Sequence, residues 1–198
     1  MTLRKPLVLA SQSPRRQEIL TLAGFDFAVC PADDEWAPEG LPPFDRVREL
    51  AHSKAAQVAK DHPNSIVLGS DTMVVLGENA LGKPRDEQDA VDMLMSLQGN
   101  SHQVMTGVWI IETDEVGNAV KEDGFTDVTT VDFWAFSEGE AREYVATKEP
   151  MDKAGAYAIQ GKGMRFVKGI CGDYYTVMGL PGGRLVRFLQ SFNETVSE

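Results

Sequence analysis

This chain of 198 residues predicts an α/β fold, and three features predict it. A short apolar run, Leu7-Val8-Leu9-Ala10, leads straight into a helical pattern with Ile19, Leu20 and Ala23 at helical spacing. A longer stretch, Ile66-Val67-Leu68 and Met73-Val74-Val75-Leu76, is β-branched and apolar on both faces, as a central strand covered by helices must be. Two further β-rich segments, residues 102–111 and 125–133, lie between helical patterns. The length suits a single domain over residues 1–198 with a substantial core.

The first strand–helix junction carries Ser11-Gln12-Ser13-Pro14-Arg15-Arg16. Ser13 occupies the N-cap position and Pro14 the first helical one, where a missing N–H costs nothing. Such a junction suits a polyphosphate, because a helix N-terminus favours anions and arginine grips phosphate oxygens bidentately. A plain capped helix with two solvated arginines has the same spacing. Residues 25–30 read as a second short strand and 31–43 as an acidic, proline-bearing loop. Phe44, Val47, Ala51, Ala55 and Val58 then trace one face of a helix over about residues 44–60. Lys54 falls on that face, seven residues after Val47. There it either snorkels to water or points into a site.

Gly69-Ser70-Asp71-Thr72 interrupts the central strand. A carboxylate there is costly to bury unless it is paired, hydrogen-bonded or metal-bound, so Asp71 reads as functional rather than as a local cap. Gly77-Glu78-Asn79 turns the chain. Asp86 then N-caps a helix carrying Ala90, Met93, Leu94 and Leu97, with Lys83 and Arg85 ahead of it as solvated loop charges or phosphate contacts. The two long strands turn about Val116-Gly117-Asn118. Ser137-Glu138-Gly139-Glu140 is a capping box opening a helix to about Thr147. From Asp152 to Gly163, small residues let the backbone approach a ligand or another strand closely. Phe166-Val167 is a strand, Gly169 to Asp173 a turn, and a last helix carries Leu185, Val186 and Leu189 before a frayed tail from Asn193 to Glu198.

Nineteen Lys and Arg against 30 Asp and Glu leave a formal net charge of −11. That balance argues against binding to nucleic acid or to anionic membranes. It is compatible with a small anionic substrate met by a local basic pocket or a divalent metal. Cys30 and Cys171 form no CxxC pair and read as buried thiols. The N-terminal apolar run is too short for a signal peptide and no stretch approaches a membrane span, so a cytoplasmic protein is expected. His52, His62 and His102 lack metal-site spacing, and neither a P-loop nor GxSxG is present.

Taken together, these segments resemble the Maf family of nucleotide pyrophosphatases, also called septum-formation inhibitor proteins. The resemblance rests on Leu9-Ala10-Ser11-Gln12-Ser13-Pro14-Arg15-Arg16, Gly69-Ser70-Asp71-Thr72, Gly82-Lys83-Pro84-Arg85-Asp86, Asp152-Lys153-Ala154-Gly155-Ala156-Tyr157, Ile159-Gln160-Gly161 and Gly179-Leu180-Pro181, in that order over nearly the whole chain. It implies a hydrolase that uses Mg²⁺ or Mn²⁺ to cut nucleoside triphosphates to monophosphate and pyrophosphate. It also implies a fold like inosine triphosphatase, with a long, curved, mixed sheet, flanking helices and a cleft between two lobes, and assembly as a homodimer. Matching positions make Asp71 the proton acceptor and a metal contact, and put Ser13, Arg16, Lys54 and Lys83 around the phosphates. On this resemblance Lys54 faces the cleft and joins Asp71 and Lys83 as catalytic. Glu35 matches the family's acidic metal-site residue if the preceding segment is one residue shorter, since Trp36 fills the ungapped position. Arg15, Thr72 and Gln160 match positions linked to substrate choice in the branch preferring dTTP and UTP. The 7-methyl-GTP branch carries Trp in place of Arg15 and Gln in place of Thr72. The competing functions are a nucleotide-binding regulator of septum formation acting through a protein partner, and a pyrophosphatase for 7-methyl-GTP or other non-standard nucleotides. The presence of Asp71 and Lys83 speaks against pure binding, which needs no water-activating base.

Overall fold

The computed structural model describes residues 3–194. Strand β1 (Leu7–Leu9) runs into helix α1 (Pro14–Leu22), as the junction requires. Strand β2 (Phe27–Val29) and helix α2 (Pro43–Ala59) follow. Strand β3 (Ile66–Leu76) continues unbroken through Gly69-Ser70-Asp71-Thr72, so the polar residues decorate the strand instead of interrupting it. Beyond the expected turn, β4 (Asn79–Leu81) folds back antiparallel with Leu81 opposite Val74. Three residues are too few for a periodic signal, and this strand was not legible in advance.

Helix α3 (Glu87–Leu97) starts where expected, with Asp86 Oδ1 accepting from the Asp89 N–H at 2.8 Å. Strands β5 (Ser101–Thr113) and β6 (Ala119–Phe133) outrun their β-rich centres. The Asp114 carboxylate closes the turn between them by accepting from the Val116 and Asn118 N–H groups at 3.0 and 2.8 Å. Helix α4 (Glu138–Val145) opens on the full capping box of Ser137 and Glu140. Three short 3-10 turns, Glu149–Asp152, Ala154–Ala156 and Gly161–Phe166, carry the small-residue segment. Strand β7 (Val167–Cys171), helix α5 (Tyr174–Met178) and helix α6 (Gly182–Glu194) complete the chain.

Among the described residues the strands form one mixed sheet of seven in the order β2-β1-β3-β5-β6-β7, with β4 beside β3. β1 lies parallel to both β2 and β3, whereas β6 and β7 are antiparallel. Two compact units divide the described residues, the first comprising 3–71, 106–127 and 179–194 and the second 72–105 and 128–178. In the first, Val8, Ala10, Ala55, Val58, Ala59, Val67 and Ile111 pack α2 onto the strands. In the second, Val91, Leu94 and Leu97 of α3 and Ala141, Tyr144 and Val145 of α4 share a core with Val131, Phe133 and Phe166.

Two glycines fix how α2 sits. A Cβ on Gly69 of β3 would lie 2.0 Å from the Ala51 carbonyl oxygen, and one on Gly107 of β5 would lie 2.3 Å from that of Val47. Ala51 and Val47 are one helical turn apart, so the α2 backbone rests on both strands along one line.

Three expectations need correction. Cys171 is exposed on β7, and Cys30 is only half-buried, packed at the margin of the core around Val8 and Ala55. The turn expected from Gly169 begins later, because β7 runs through Cys171. The tail expected from Asn193 is helical backbone through Glu194, and its remainder, 195–198, lies outside the described residues. Among the described residues no helix is long and apolar enough to cross a membrane.

Candidate active site

At the β1–α1 junction, Ser13 takes the N-cap position but its side chain makes no capping bond. The buried Ser11 hydroxyl works there instead, accepting from the Ser13 N–H at 3.2 Å and from Arg16 Nη1 at 3.0 Å. Arg16 Nε donates to the Gly179 carbonyl at 2.9 Å, and the fully buried Ser70 hydroxyl donates to the same oxygen at 3.0 Å. Gly179 holds φ at +109°, which glycine adopts without strain and which aims its carbonyl at both donors. Three segments far apart in sequence are thereby tied together, and the Arg16 guanidinium is held in place. Burial pushes Arg16 below its ordinary pKa, Asp71 opposes that push, Arg15 adds to it and Glu35 opposes it. An arginine keeps its charge under such pressure.

Lys54 does not snorkel. Its Nζ lies 2.6 Å from Asp71 Oδ1 and 2.5 Å from Glu35 Oε2. The Lys54 and Asp71 side chains are each only 15% exposed. The approach of Gly69 to Ala51 explains the pairing: with backbone against backbone, Lys54 on α2 reaches the strand position two residues beyond Gly69. The loop bearing Glu35 is held to the same helix on both sides. Gln57 Oε1 accepts from the Asp33 N–H at 2.8 Å, and Ser53 Oγ accepts from the Trp36 N–H at 3.1 Å. Trp36 itself is 69% exposed.

Asp71 and Glu35 offer hard carboxylate oxygens converging on one cation. Mg²⁺ is characteristically held by one or two carboxylates together with substrate phosphates, so this donor set fits such an ion. Among the described residues no group of three or more His, Cys, Asp or Glu side chains is gathered for a metal.

The remaining candidates are distributed as follows. Ser13 and the half-buried Arg15 precede Arg16 on the α1 junction. Thr72 follows Asp71 on β3 and belongs to the second unit, with Lys83 and Gln160. Lys83 is exposed after β4. Gln160 is half-buried just before the last 3-10 turn, with φ −89° and ψ 162° and no capping bond to that turn. Arg85 donates to Asp89 Oδ1 at 2.8 Å, so it acts as an ion-paired loop charge and the bonds from Arg85 hold the Asp89 carboxyl down at about 2. Ser11, Ser70 and the Gly179 carbonyl have roles that the sequence reading did not assign, although all three lie inside the motifs quoted for it. Their signal was slight: Ser11 and Ser70 follow the apolar runs of β1 and β3, and Gly179 lies between Met178 and Leu180, where an unpaired polar group is costly.

Comparison with known proteins settles the family. Maf-like protein is the family description that matches, over residues 6–192. The chain belongs to the Maf family. A relative from Bacillus velezensis named dTTP/UTP pyrophosphatase is 45% identical over 190 residues, spanning 96% of this chain and 97% of its own length. One of the same name from Bacillus cereus is 47% identical over 194 residues, spanning 98% and 93%. Among solved structures, the Staphylococcus aureus Ham1 protein matches with a TM-score of 0.52 at 16% identity, covering 95% of this chain and 100% of that one. At that identity the likeness concerns the fold alone, and it bears out the mixed α/β architecture expected of a Maf chain.

Proposed function

We propose that this Maf-family chain hydrolyses dTTP and UTP to the nucleoside monophosphate and pyrophosphate. The observation that carries this reading is the Lys54–Asp71–Glu35 cluster with Arg16 fixed in its electrostatic range. The names of the near full-length relatives supply the substrate class. Water attacks the α-phosphorus and the βγ unit departs. Asp71 takes the proton from that water, with its carboxylate oriented by Lys54. Lys54, with three donors, and Arg16, held by Ser11 and Gly179, neutralise the charge on the phosphate oxygens. Lys83, exposed after β4, adds a charge for the leaving pyrophosphate. Asp71 and Glu35 would hold a divalent cation, Mg²⁺ or Mn²⁺, which would supply Lewis-acid stabilisation of charge on the phosphoryl group.

Base choice falls to Gln160, Arg15 and Thr72 on this reading. Uracil and thymine present an N3–H donor flanked by two carbonyl acceptors, and the Gln160 amide matches one donor and one acceptor at once. A wrong base leaves such groups unpaired, so selection against it is strong, whereas thymine and uracil differ by one methyl group, worth only about 1–3 kcal/mol. The test is kcat/KM with Mg²⁺ over dTTP, UTP, CTP, GTP and 7-methyl-GTP, with products identified. dTTP and UTP should lead, with pyrophosphate released intact. A lead for GTP or 7-methyl-GTP, or release of orthophosphate, contradicts the reading.

A further inference from the structure

A second cluster, wholly within the second unit, surrounds the loop that carries Gln160. The Glu149 carboxylate accepts from the Lys162 N–H at 3.1 Å on Oε2, and from the Gly163 N–H at 3.1 Å and the Tyr144 hydroxyl at 3.0 Å on Oε1. The Tyr144 oxygen in turn accepts from the Ala158 N–H at 3.2 Å. Gly161 adopts φ +73°, and a Cβ there would lie 2.8 Å from Glu149 Oε2. A Cβ on Gly163 would lie 2.3 Å from the Ala158 carbonyl and 2.8 Å from the Tyr144 hydroxyl. The loop is therefore folded tightly around one carboxylate and one phenol. Every anchor flanks Gln160: Ala158 before it, Lys162 and Gly163 after it.

Capping of a 3-10 turn alone does not account for so many bonds. Burial pushes the Glu149 carboxyl up, but the Lys162 and Gly163 N–H groups and the Tyr144 hydroxyl together hold it below the usual carboxylate range, so it stays an acceptor at neutral pH. Tyr144 is 1% exposed and packs edge-on to Phe166, which fixes its hydroxyl against the core. A rigid support of this kind is what an amide needs to read a base edge, since loosening a group by about 1 Å can remove its discrimination.

We infer that Glu149, together with Tyr144, is a positioning residue for base selectivity, acting through the loop that presents Gln160. The inference rests on the proposed role of Gln160 as base reader. Glu149→Gln keeps size but offers a single acceptor oxygen where two are used. Tyr144→Phe removes only the hydroxyl.

The experiment measures kcat/KM for dTTP and for GTP in wild type, Glu149→Gln, Tyr144→Phe, Gln160→Ala and the Glu149→Gln/Gln160→Ala double variant. Circular dichroism and Tm establish that each variant is folded. The dTTP-over-GTP preference should fall about ten- to hundredfold in both Glu149→Gln and Tyr144→Phe. The loss should lie in the dTTP value, and Glu149→Gln should add nothing to it once Gln160 is alanine. If Glu149→Gln does not fold, Tyr144→Phe decides. Equal loss for dTTP and GTP, with the ratio unmoved, marks a purely structural role and overturns the inference. If Gln160→Ala loses the preference while the folded Glu149 and Tyr144 variants keep it, the inference falls and the Gln160 reading stands. If Gln160→Ala keeps the preference, the Gln160 reading falls and takes this inference with it.

Discussion

The Lys54 ammonium lies between two carboxylates, and that placement sets what its removal does. A lysine stranded on an apolar stripe is replaced by methionine at little cost, because packing volume substitutes for a desolvated charge. With Asp71 at 2.6 Å and Glu35 at 2.5 Å, the same replacement leaves two like charges facing each other without their cation. Lys54→Met should therefore cost about 1–3 kcal/mol. At about 2–4 °C per kcal/mol for a chain of this size, Tm should fall by several degrees. Asp71→Asn should fold normally and relieve part of that cost when combined with Lys54→Met, while its own turnover of dTTP drops about a hundredfold or more. Thermal melts and kinetics of the two single variants and the double variant check both points. A Lys54→Met protein as stable as wild type contradicts the pairing. Whether Lys54 snorkels or pairs was not legible from its helix face alone, because the answer lies in a strand 17 positions away. Ser11 and Ser13 pose the same problem. Both are small hydroxyls at one junction, and only the position of Arg16 decides that Ser11 takes the bonds.

Among the elements, those with local signals were read correctly. Asp86 and Ser137 announce α3 and α4 because a cap is decided within four residues of chain. β3 was recognisable from its apolar length, yet its continuity through Gly69 to Thr72 was not, since the neighbours that complete it come from β1, β4 and β5. β4 and α5, with three and five residues, are too short to carry a period. The element-level device that builds the site is the contact of α2 with β3 and β5 at Gly69 and Gly107. Gly69→Ala puts a methyl 2.0 Å from a backbone oxygen that cannot rotate away. It should cost about 3 kcal/mol or more and lower turnover by moving Lys54 off Asp71. Gly183→Ala in α6, where a Cβ meets nothing within 4 Å, should instead be neutral or stabilising by up to about 1 kcal/mol. Urea midpoints of the two variants decide the matter: similar values contradict the close approach of helix and strand.

For the whole molecule, the net charge of −11 and the local chemistry of the site stand in opposition. An acidic chain repels a nucleoside triphosphate at long range, so on the proposed reading the few fixed cations of the site supply the attraction. Arg16 and Lys54, the cations that this reading uses, are held by hydrogen bonds and carboxylates, whereas Arg85, read as an alternative phosphate contact, is held by Asp89. The family and the motif order were legible across the chain because the polar motif residues stand out against apolar strands. The framework beneath them, from the Gly179 carbonyl to the Glu149 carboxylate, was hidden because it consists of backbone groups and long-range pairs.

The proposed function requires that water attack the α-phosphorus of a pyrimidine triphosphate, with pyrophosphate leaving intact. Hydrolysis of dTTP by the wild-type protein in ¹⁸O-labelled water, with both products analysed by mass spectrometry, tests it most directly. Attack at the α-phosphorus forms the new P–O bond on the nucleotide, so the account predicts one ¹⁸O in dTMP and none in pyrophosphate. Label in pyrophosphate, or in free orthophosphate, contradicts it.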